Sequence, residues 1–369
     1  MGATPKNHVK MKLNKERIQP TASISVRQGA DAAFRACDAS RVEKVPKTSV
    51  IITTYNCAAY ISDTIASVAA QSERDLEILV IDDASTDGTL QLAREAASRD
   101  ARIKIHPQAH GGKASIARNA GLKLAQGDYL CFLDGDDLYK PSKLEQQRQF
   151  LDEHQDIIAV FHDMQLIDES GVVTKNSFLL HHRFLERAQP YLSQLSPQTY
   201  VCNPQFYRFM ALVHSSVHTS SIMLRRSVVE DGLRFAEDIK MAEDIEFWWA
   251  VARHRKLGYI DRQLSAYRIH GSNMTRNSET LYRDSITVHR RNIERHGAGF
   301  TLAQLQQYEK KMADNWFALG YFCYCQGRNR EARAHYRTAL QLVIELRFVT
   351  AYLKTLVSHK IRRFWQRGN

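Results

Sequence analysis

The chain has 369 residues, of which 44% are hydrophobic and 25% charged, so it can bury a full core and is not expected to be disordered. Its formal charge of +11 predicts an anionic partner, which could be nucleic acid, a membrane surface or a phosphorylated substrate. No run approaches the ~20 apolar residues of a membrane span, and the basic N-terminus lacks a hydrophobic signal core. We therefore expect a cytoplasmic protein, and the six scattered cysteines indicate reduced, structural thiols.

The first 47 residues differ from the rest of the chain. They hold ten Lys or Arg against four acids and show little periodicity. This composition predicts a basic, mostly flexible arm.

From residue 48 the chain alternates between short apolar runs and segments with helical spacing. Predicted strands cover residues 49–54, 76–81, 102–106 and 129–133, and predicted helices cover residues 58–70, 88–98 and 115–125. This alternation predicts an α/β fold in which helices cover the faces of a parallel sheet. Since ligands bind at the carboxyl ends of the strands in such sheets, the polar residues that follow each strand are candidate site residues.

The pattern is less regular beyond residue 140. A helix is predicted over residues 141–153 and a strand over 157–167, whereas residues 178–217 suit a loop-heavy region that shapes a pocket for a second substrate. Residues 279–346 are predicted to form amphipathic helices, with Gly320, Ala332 and Tyr336 placed much as in a helix-hairpin repeat.

Three carboxylates follow the predicted strand that ends at Leu133. Asp134, Asp136 and Asp137 lie within four residues and repel one another unless a cation or hydrogen-bond donors compensate. A hard divalent ion, Mg²⁺ or Mn²⁺, held by one or two carboxylates and a diphosphate, would compensate them. The alternative is a solvated acidic turn before the next helix.

Two further strand ends carry candidate nucleotide contacts. Asp83 can accept a hydrogen bond from a nucleobase N–H, and Tyr55 offers a ring for stacking, although the segment from 85 to 87 also contains ordinary helix caps. Lys113 and Arg118 supply cations near two glycines that precede a helix, where a diphosphate could lie. A flexible loop would use the same glycines.

Glu243 and Asp244 open a predicted helix that continues with aromatic residues. As acids at a helix N-terminus they would stabilise the helix dipole. The functional interpretation is a general base, Asp244, beside a sugar platform formed by Glu243 and Trp248. His270 follows in a polar segment, where a single histidine is more often structural than a ligand.

The last predicted helix, residues 348–365, is amphipathic and basic. Its apolar residues lie largely on one face and its Lys and Arg residues mostly elsewhere. Such a helix either lies on an anionic membrane surface or packs on the preceding helices.

Taken in order, six segments resemble the family 2 glycosyltransferases: residues 49–56, 80–88, 112–121, 132–137, 243–244 and 267–270. The resemblance covers about residues 48–275 and is strongest before Leu144. Thr53 stands where the family usually has proline, and His110 stands near where it often has asparagine. These departures leave the contacts of Lys113 open.

The resemblance implies a GT-A fold: a Rossmann-like nucleotide-binding half, residues 48–140, joined to an acceptor half, residues 141–278, around a mixed, mainly parallel sheet. A helical region, residues 279–369, follows. By motif match, Thr54, Tyr55 and Asp83 would contact the nucleoside and Asp134 the ribose or metal. Asp136 and His270 would bind the metal, with Asp136 also near the diphosphate, and Asp244 would be the base.

The implied activity is inverting, metal-dependent transfer of a hexose from a nucleotide sugar, commonly a UDP-sugar in this family. The acceptor would be a hydroxyl of a glycan or lipid-linked oligosaccharide in surface polysaccharide synthesis, reached from the inner face of the membrane. Three alternatives remain at this point: a nucleotidyltransferase, a nucleic-acid-binding protein and a scaffold with a degenerate glycosyltransferase fold. No nucleic-acid partner is expected, since the central motifs are acidic and the basic ends contain no recognisable nucleic-acid-binding module.

Overall fold

A computed structural model describes residues 47–230, 232–273 and 278–356. Nearly all of the predicted N-terminal arm and residues 357–365 of the predicted last helix lie outside these ranges. The described residues all belong to a single compact unit.

The donor half is built from parallel strands with helices between them. Its elements are β1 (Thr48–Thr54), α1 (Ile61–Ala69), β2 (Leu76–Asp82), α2 (Thr89–Ala97), β3 (Ile103–Pro107), α3 (Ala114–Leu124) and β4 (Tyr129–Asp134). Strand β1 pairs in parallel with both β2 and β4, and β2 pairs in parallel with β3. All seven residues of β1 and of β2 are buried, because alternate side chains enter apolar clusters on opposite faces of the sheet.

The second half extends the same sheet with shorter elements. These are β5 (Leu138–Tyr139), α4 (Lys143–Glu153), β6 (Ile157–Ile167), β7 (Val173–Lys175), α5 (Phe178–His181), α6 (Phe184–Ala188), β8 (Leu192–Ser196), β9 (Thr199–Cys202), α7 (Phe206–Leu212), β10 (Met223–Arg225), α8 (Ser227–Glu230), α9 (Glu243–Ala252) and β11 (Lys256–Arg268). The region predicted to be loop-heavy therefore contains short helices and a β-hairpin.

The described residues form an eleven-stranded sheet with the order β3-β2-β1-β4-β10-β6-β11-β9-β8, while β5 pairs with β11 and β7 with β6. Strand β10 is antiparallel to both of its neighbours, β4 and β6. The four parallel pairings are longer than any of the antiparallel ones. The prediction of a mixed, mainly parallel sheet is confirmed.

Four helices complete the described chain: α10 (Ser278–His296), α11 (Leu302–Cys325), α12 (Asn329–Leu342) and α13 (Leu346–Lys354). Helices α11 and α12 form a hairpin in which a Cβ at Gly320 would lie 2.7 Å from the Tyr336 ring, so glycine permits the close approach. The predicted C-terminal helical region is confirmed. No helix in the described part of the chain combines the length and the apolar character needed to cross a membrane.

Helix α10 is fastened to the segment that precedes α9. The Asp284 carboxylate accepts hydrogen bonds from the backbone N–H groups of Lys240 and Met241, at 3.1 and 2.8 Å. The His289 ring packs against Trp249, with ring centroids 4.9 Å apart. The C-terminal helices therefore share a core with the sheet.

Candidate active site

The parallel register brings the predicted strand ends to one edge of the sheet. Thr54 lies opposite Asp82 on β2, and Thr53 lies opposite Asp134 on β4. Because successive parallel strands end at the same edge, polar residues that are distant in sequence meet there. The candidate site is built on this edge.

Asp83, just beyond β2, is enclosed by the loop that follows β3. Its Oδ1 accepts hydrogen bonds from Gln108 Nε2 at 2.8 Å and from the Gly111 N–H at 2.7 Å, while Oδ2 accepts from the Gly112 N–H at 2.9 Å. Gly112 has a φ of +68°, a conformation that favours glycine and lets both amides point at one carboxylate. Asp83 is 5% exposed.

Tyr55 directly follows β1 and lies at the same edge of the sheet. Its side chain is 46% exposed, and its ring contacts the His110 ring with centroids 4.7 Å apart. Thr54 is buried, and its hydroxyl has no hydrogen-bond partner among the described residues. The structure thus groups Thr54, Tyr55 and Asp83, which were predicted to contact the nucleoside.

Arg118, on α3, joins two parts of the site that were predicted separately. One nitrogen donates to Asp134 Oδ1 at 2.8 Å and another donates to Glu243 Oε1 at 2.6 Å. The guanidinium is almost fully buried and lies against the Phe235 ring. It therefore ties the end of β4 to the N-terminus of α9.

The pKa values of the two carboxylates that contact Arg118 are shifted in opposite directions. Burial favours the neutral form of Asp134, but the positive charge of Arg118 keeps the pKa of Asp134 below its ordinary value. For Glu243, burial outweighs the attraction of Arg118, and with the neighbouring charge of Asp244 it raises the pKa to about 7. The more exposed partner, Asp134, thus carries the more persistent charge.

Asp136 and His270 meet across the sheet edge. His270 Nε2 lies 2.8 Å from Asp136 Oδ2, and His270 Nδ1 lies 2.8 Å from the Ser272 hydroxyl. Burial, together with Asp134, raises the pKa of Asp136 despite the contact with His270. The two predicted metal ligands are thus adjacent.

This pair is a partial donor set for a cation. Over residues 47–230, 232–273 and 278–356, no group of three His, Cys, Asp or Glu side chains is placed to hold a metal ion. A carboxylate and an imidazole can nevertheless serve Mn²⁺ or Mg²⁺ when phosphate oxygens and water complete the coordination. The residues present fit an ion bound together with a diphosphate.

Asp137 has a structural role. Its carboxylate is buried and accepts from the Ser220 hydroxyl at 2.6 Å and from the Arg268 backbone N–H at 3.0 Å. Burial, with the neighbouring charges of Asp136 and Asp134, raises its pKa well above the ordinary value. It links β4 to β11.

Asp244, the predicted base, is partly exposed at the start of α9. Its Oδ1 accepts from the backbone N–H of Ile245 at 2.8 Å. Ala242, two residues earlier, has a φ of +68°, an uncommon backbone conformation for alanine that turns the chain into the helix. Asp244 is partly exposed after this turn, while Glu243 is 5% exposed.

The prediction that Trp248 and Glu243 form a sugar platform is wrong. Trp248 is 1% exposed and packs edge-on against Phe132, Phe235 and Phe247, so it belongs to the core. Glu243 is buried against Arg118 and has no open face for a sugar.

Lys113 is half-buried, and its amine donates to the backbone carbonyl of Glu237 at 2.5 Å. This contact connects the N-terminus of α3 to the segment before α9. That Lys113 binds the donor diphosphate stays a prediction.

His218 and Ser220 also belong to this edge, although neither was predicted from the sequence to be a site residue. The His218 ring packs on Tyr267, with centroids 4.9 Å apart, and its pKa is lowered by burial against the opposing influence of Asp134 and Asp244. Ser220 accepts from the Asp134 backbone N–H at 3.3 Å. A polar run from residue 214 to 221 between apolar segments was the available signal.

The site lies at a sheet edge where parallel strands end in acidic residues, and an acidic helix N-terminus faces this edge. This arrangement is that of the GT-A fold. S. aureus TarS 1-349, solved in complex with UDP-GlcNAc, shares the fold with a TM-score of 0.53 at 19% identity, over 84% of this chain and 90% of that chain.

Relatives identify the family. The sequence model of the family Glycosyl transferase family 2 matches residues 49–232. An uncharacterized glycosyltransferase of Haemophilus influenzae is 30% identical over 243 residues, which are 63% of this chain and 68% of that protein. TuaG of Bacillus subtilis, named for teichuronic acid biosynthesis, is 43% identical over 106 residues, 29% of this chain and 42% of that protein. The chain belongs to the family 2 glycosyltransferases.

Proposed function

We propose that this glycosyltransferase moves a hexose, with inversion, from a UDP-sugar to a hydroxyl of a glycan or lipid-linked acceptor in surface polysaccharide synthesis. One observation carries the proposal: Arg118 contacts both Asp134 and Glu243, which sets the donor edge beside the helix that bears Asp244. TuaG's name and the UDP-GlcNAc bound to TarS support the polysaccharide role and the uridine donor.

Donor binding uses the edge of β1, β2 and β4. The exposed Tyr55 ring would provide a stacking surface and Asp83 an acceptor for a base N–H, while Thr54 would contact the nucleoside and Asp134 the ribose or metal. Arg118 is held by two carboxylates, so its part is to position Asp134 rather than to bind phosphate directly.

Asp136 and His270 would hold Mg²⁺ or Mn²⁺ against the donor diphosphate, and a bound ion supplies charge compensation for the leaving group. A magnesium titration of UDP binding tests this role. Wild type should bind UDP more tightly with the ion, and Asp136→Asn should lose that dependence.

Asp244 acts as the general base. Glu243 is enclosed with Arg118, whereas the partial exposure of Asp244 supports its choice as the base. The acceptor oxygen attacks the anomeric carbon as its proton passes to Asp244. The bond from that carbon to the diphosphate oxygen breaks, and the diphosphate leaves with the electron pair. One such displacement inverts the anomeric configuration.

The test is UDP release from a panel of UDP-sugars by wild type and Asp244→Asn. The variant should release UDP at least about 100-fold more slowly and keep its UDP affinity, because a general base accelerates only the chemical step. Glu246→Gln, on the same helix, is the matched control and should stay active. Turnover retained by Asp244→Asn would exclude this assignment.

We also propose that the enzyme works at the inner face of the membrane. Helix α13 buries Phe348 against Phe317, whereas Leu346 and Leu353 are 83% and 53% exposed. Basic residues follow in the sequence, outside the described residues. An apolar stripe beside basic residues suits an anionic lipid surface.

Co-sedimentation with anionic vesicles measures this association. The double variant Leu346→Gln, Leu353→Gln should lose salt-sensitive binding, whereas Leu302→Gln, at a remote leucine that is 74% exposed, should retain it. Equal binding by all three proteins would argue against the membrane role.

A further inference from the structure

His110 lies where a nucleobase would be expected to lie. Its ring packs on the exposed ring of Tyr55 at 4.7 Å between centroids, and its Nδ1 is 3.1 Å from Asp83 Oδ2. The same nitrogen is 3.0 Å from the Asp83 backbone carbonyl. Both neighbours are acceptors, so Nδ1 carries a hydrogen and donates it.

A planar ring that packs against Tyr55 and brings an N–H to Asp83 has the pattern expected of uracil, whose N3 also bears a hydrogen. The imidazole therefore lies against the two groups proposed to bind the base, an aromatic face and the Asp83 carboxylate, with Nδ1 3.1 Å from Oδ2.

The His110 ring blocks the part of the Asp83 carboxylate that other donors leave open. Its two oxygens offer about four acceptor positions. Three donors use three of them: Gln108 Nε2 and the N–H groups of Gly111 and Gly112. His110 Nδ1, which hydrogen-bonds to the Asp83 backbone carbonyl, lies 3.1 Å from Oδ2, beside the fourth. The two backbone donors are fixed by the loop, whereas the His110 side chain is 51% exposed and can rotate.

The spacing of the rings also prevents a base from entering between them. A third ring needs about 7 Å between its two neighbours, twice the carbon–carbon contact distance of about 3.5 Å. The Tyr55 and His110 centroids are 4.7 Å apart. A base that uses this face of Tyr55 must displace the imidazole.

We propose that the His110 ring occupies the nucleobase position and competes with the base of the donor, so that this residue limits donor affinity. The inference rests on the proposed function, because it takes a uridine nucleotide as the competitor. Displacement requires only rotation of the His110 side chain, and the bonds of Gly111 and Gly112 to Asp83 can persist.

Calorimetric titration of UDP into the full chain tests the competition. His110→Ala should bind UDP on the order of tenfold more tightly than wild type, because the competing state is removed and affinity rises with the competent fraction. His110→Phe keeps a ring but lacks the N–H, so its gain should be smaller. His181→Ala, at an exposed histidine outside the site, should match wild type.

A second titration addresses selectivity. CDP presents an acceptor at the ring nitrogen where UDP presents a donor, so the preference for UDP should be lost in Asp83→Asn but retained in His110→Ala. If Asp83→Asn still prefers UDP over CDP, the Asp83 carboxylate does not select the base.

The outcomes distinguish a failure of the competition from a failure of the proposed function. If wild type binds UDP and His110→Ala binds it equally or more weakly, the competition is refuted and the proposed function stands. If neither protein binds UDP, both the uridine donor and the competition are refuted. Melting temperatures of the variants within a few degrees of wild type exclude misfolding as the cause of a loss.

Discussion

Replacing Arg118 by methionine tests the bridge that joins the donor edge to the helix of the proposed base. The substitution leaves Asp134 and Glu243 without their shared cation. Breaking a buried ion pair by removing one partner costs about 3–5 kcal/mol. Here Glu243 can take up a proton, since its pKa is already about 7, and the Asp134 side chain is 30% exposed. We therefore expect a loss at the lower end, about 3 kcal/mol.

The free energy of unfolding, from urea titration at neutral pH, measures this loss. Arg148→Met is the matched control, because Arg148 also bridges two acids, Glu73 and Asp152, but is 30% exposed and should cost no more than about 1 kcal/mol. Adding Glu243→Gln to Arg118→Met should recover part of the loss, since one of the two stranded carboxylates is then removed. Equal losses in the two methionine variants would refute the reasoning.

Three further predictions concern the core and the ionisation of the site. Trp248→Ala should lower the free energy of unfolding by about 3–5 kcal/mol, as for other buried aromatics, and a loss below about 1 kcal/mol in urea titration would contradict its place in the core. Gly127→Ala should lower the melting temperature strongly, because a Cβ there would lie 2.6 Å from backbone, whereas Gly271→Ala meets nothing within 4 Å and should not; equal shifts would count against this packing. Glu243 has a folded pKa of about 7 against an ordinary 4.5, so the folded state binds more protons between these values and stability should fall as pH rises through this window. Glu243→Gln should weaken that dependence in unfolding measured from pH 4.5 to 7.5, and an unchanged slope would contradict the raised pKa.

The strand ends were predictable because each signal is local in sequence. An apolar run followed by acids, as at Asp134, gives both the strand and its direction, and the parallel connections place successive ends together. Asp83 and Asp136 follow from the same logic. The roles of Asp244 and His270 came from the resemblance, since neither has a local signal strong enough to exclude a structural residue.

His218 and Ser220 escaped prediction for a topological reason. They precede β10, which inserts antiparallel between β4 and β6, and no local periodicity encodes that insertion. The error over Trp248 has a related cause. The hydrophobicity of α9 is visible in the sequence, but its burial depends on Phe132 and Phe235, which come from distant segments.

The attachment of α10 through Asp284 and His289 has a consequence for exchanging parts between relatives. The hydrogen bonds of Asp284 hold the two backbone amides that lead into the turn at Ala242, and thus the entry to the helix that bears Asp244. A chimera that joins residues 48–273 to the helices of another family member would keep every predicted site residue yet lose the support behind the proposed base. The proposed base and the helix that supports it therefore both lie outside residues 49–232, which the family model matches.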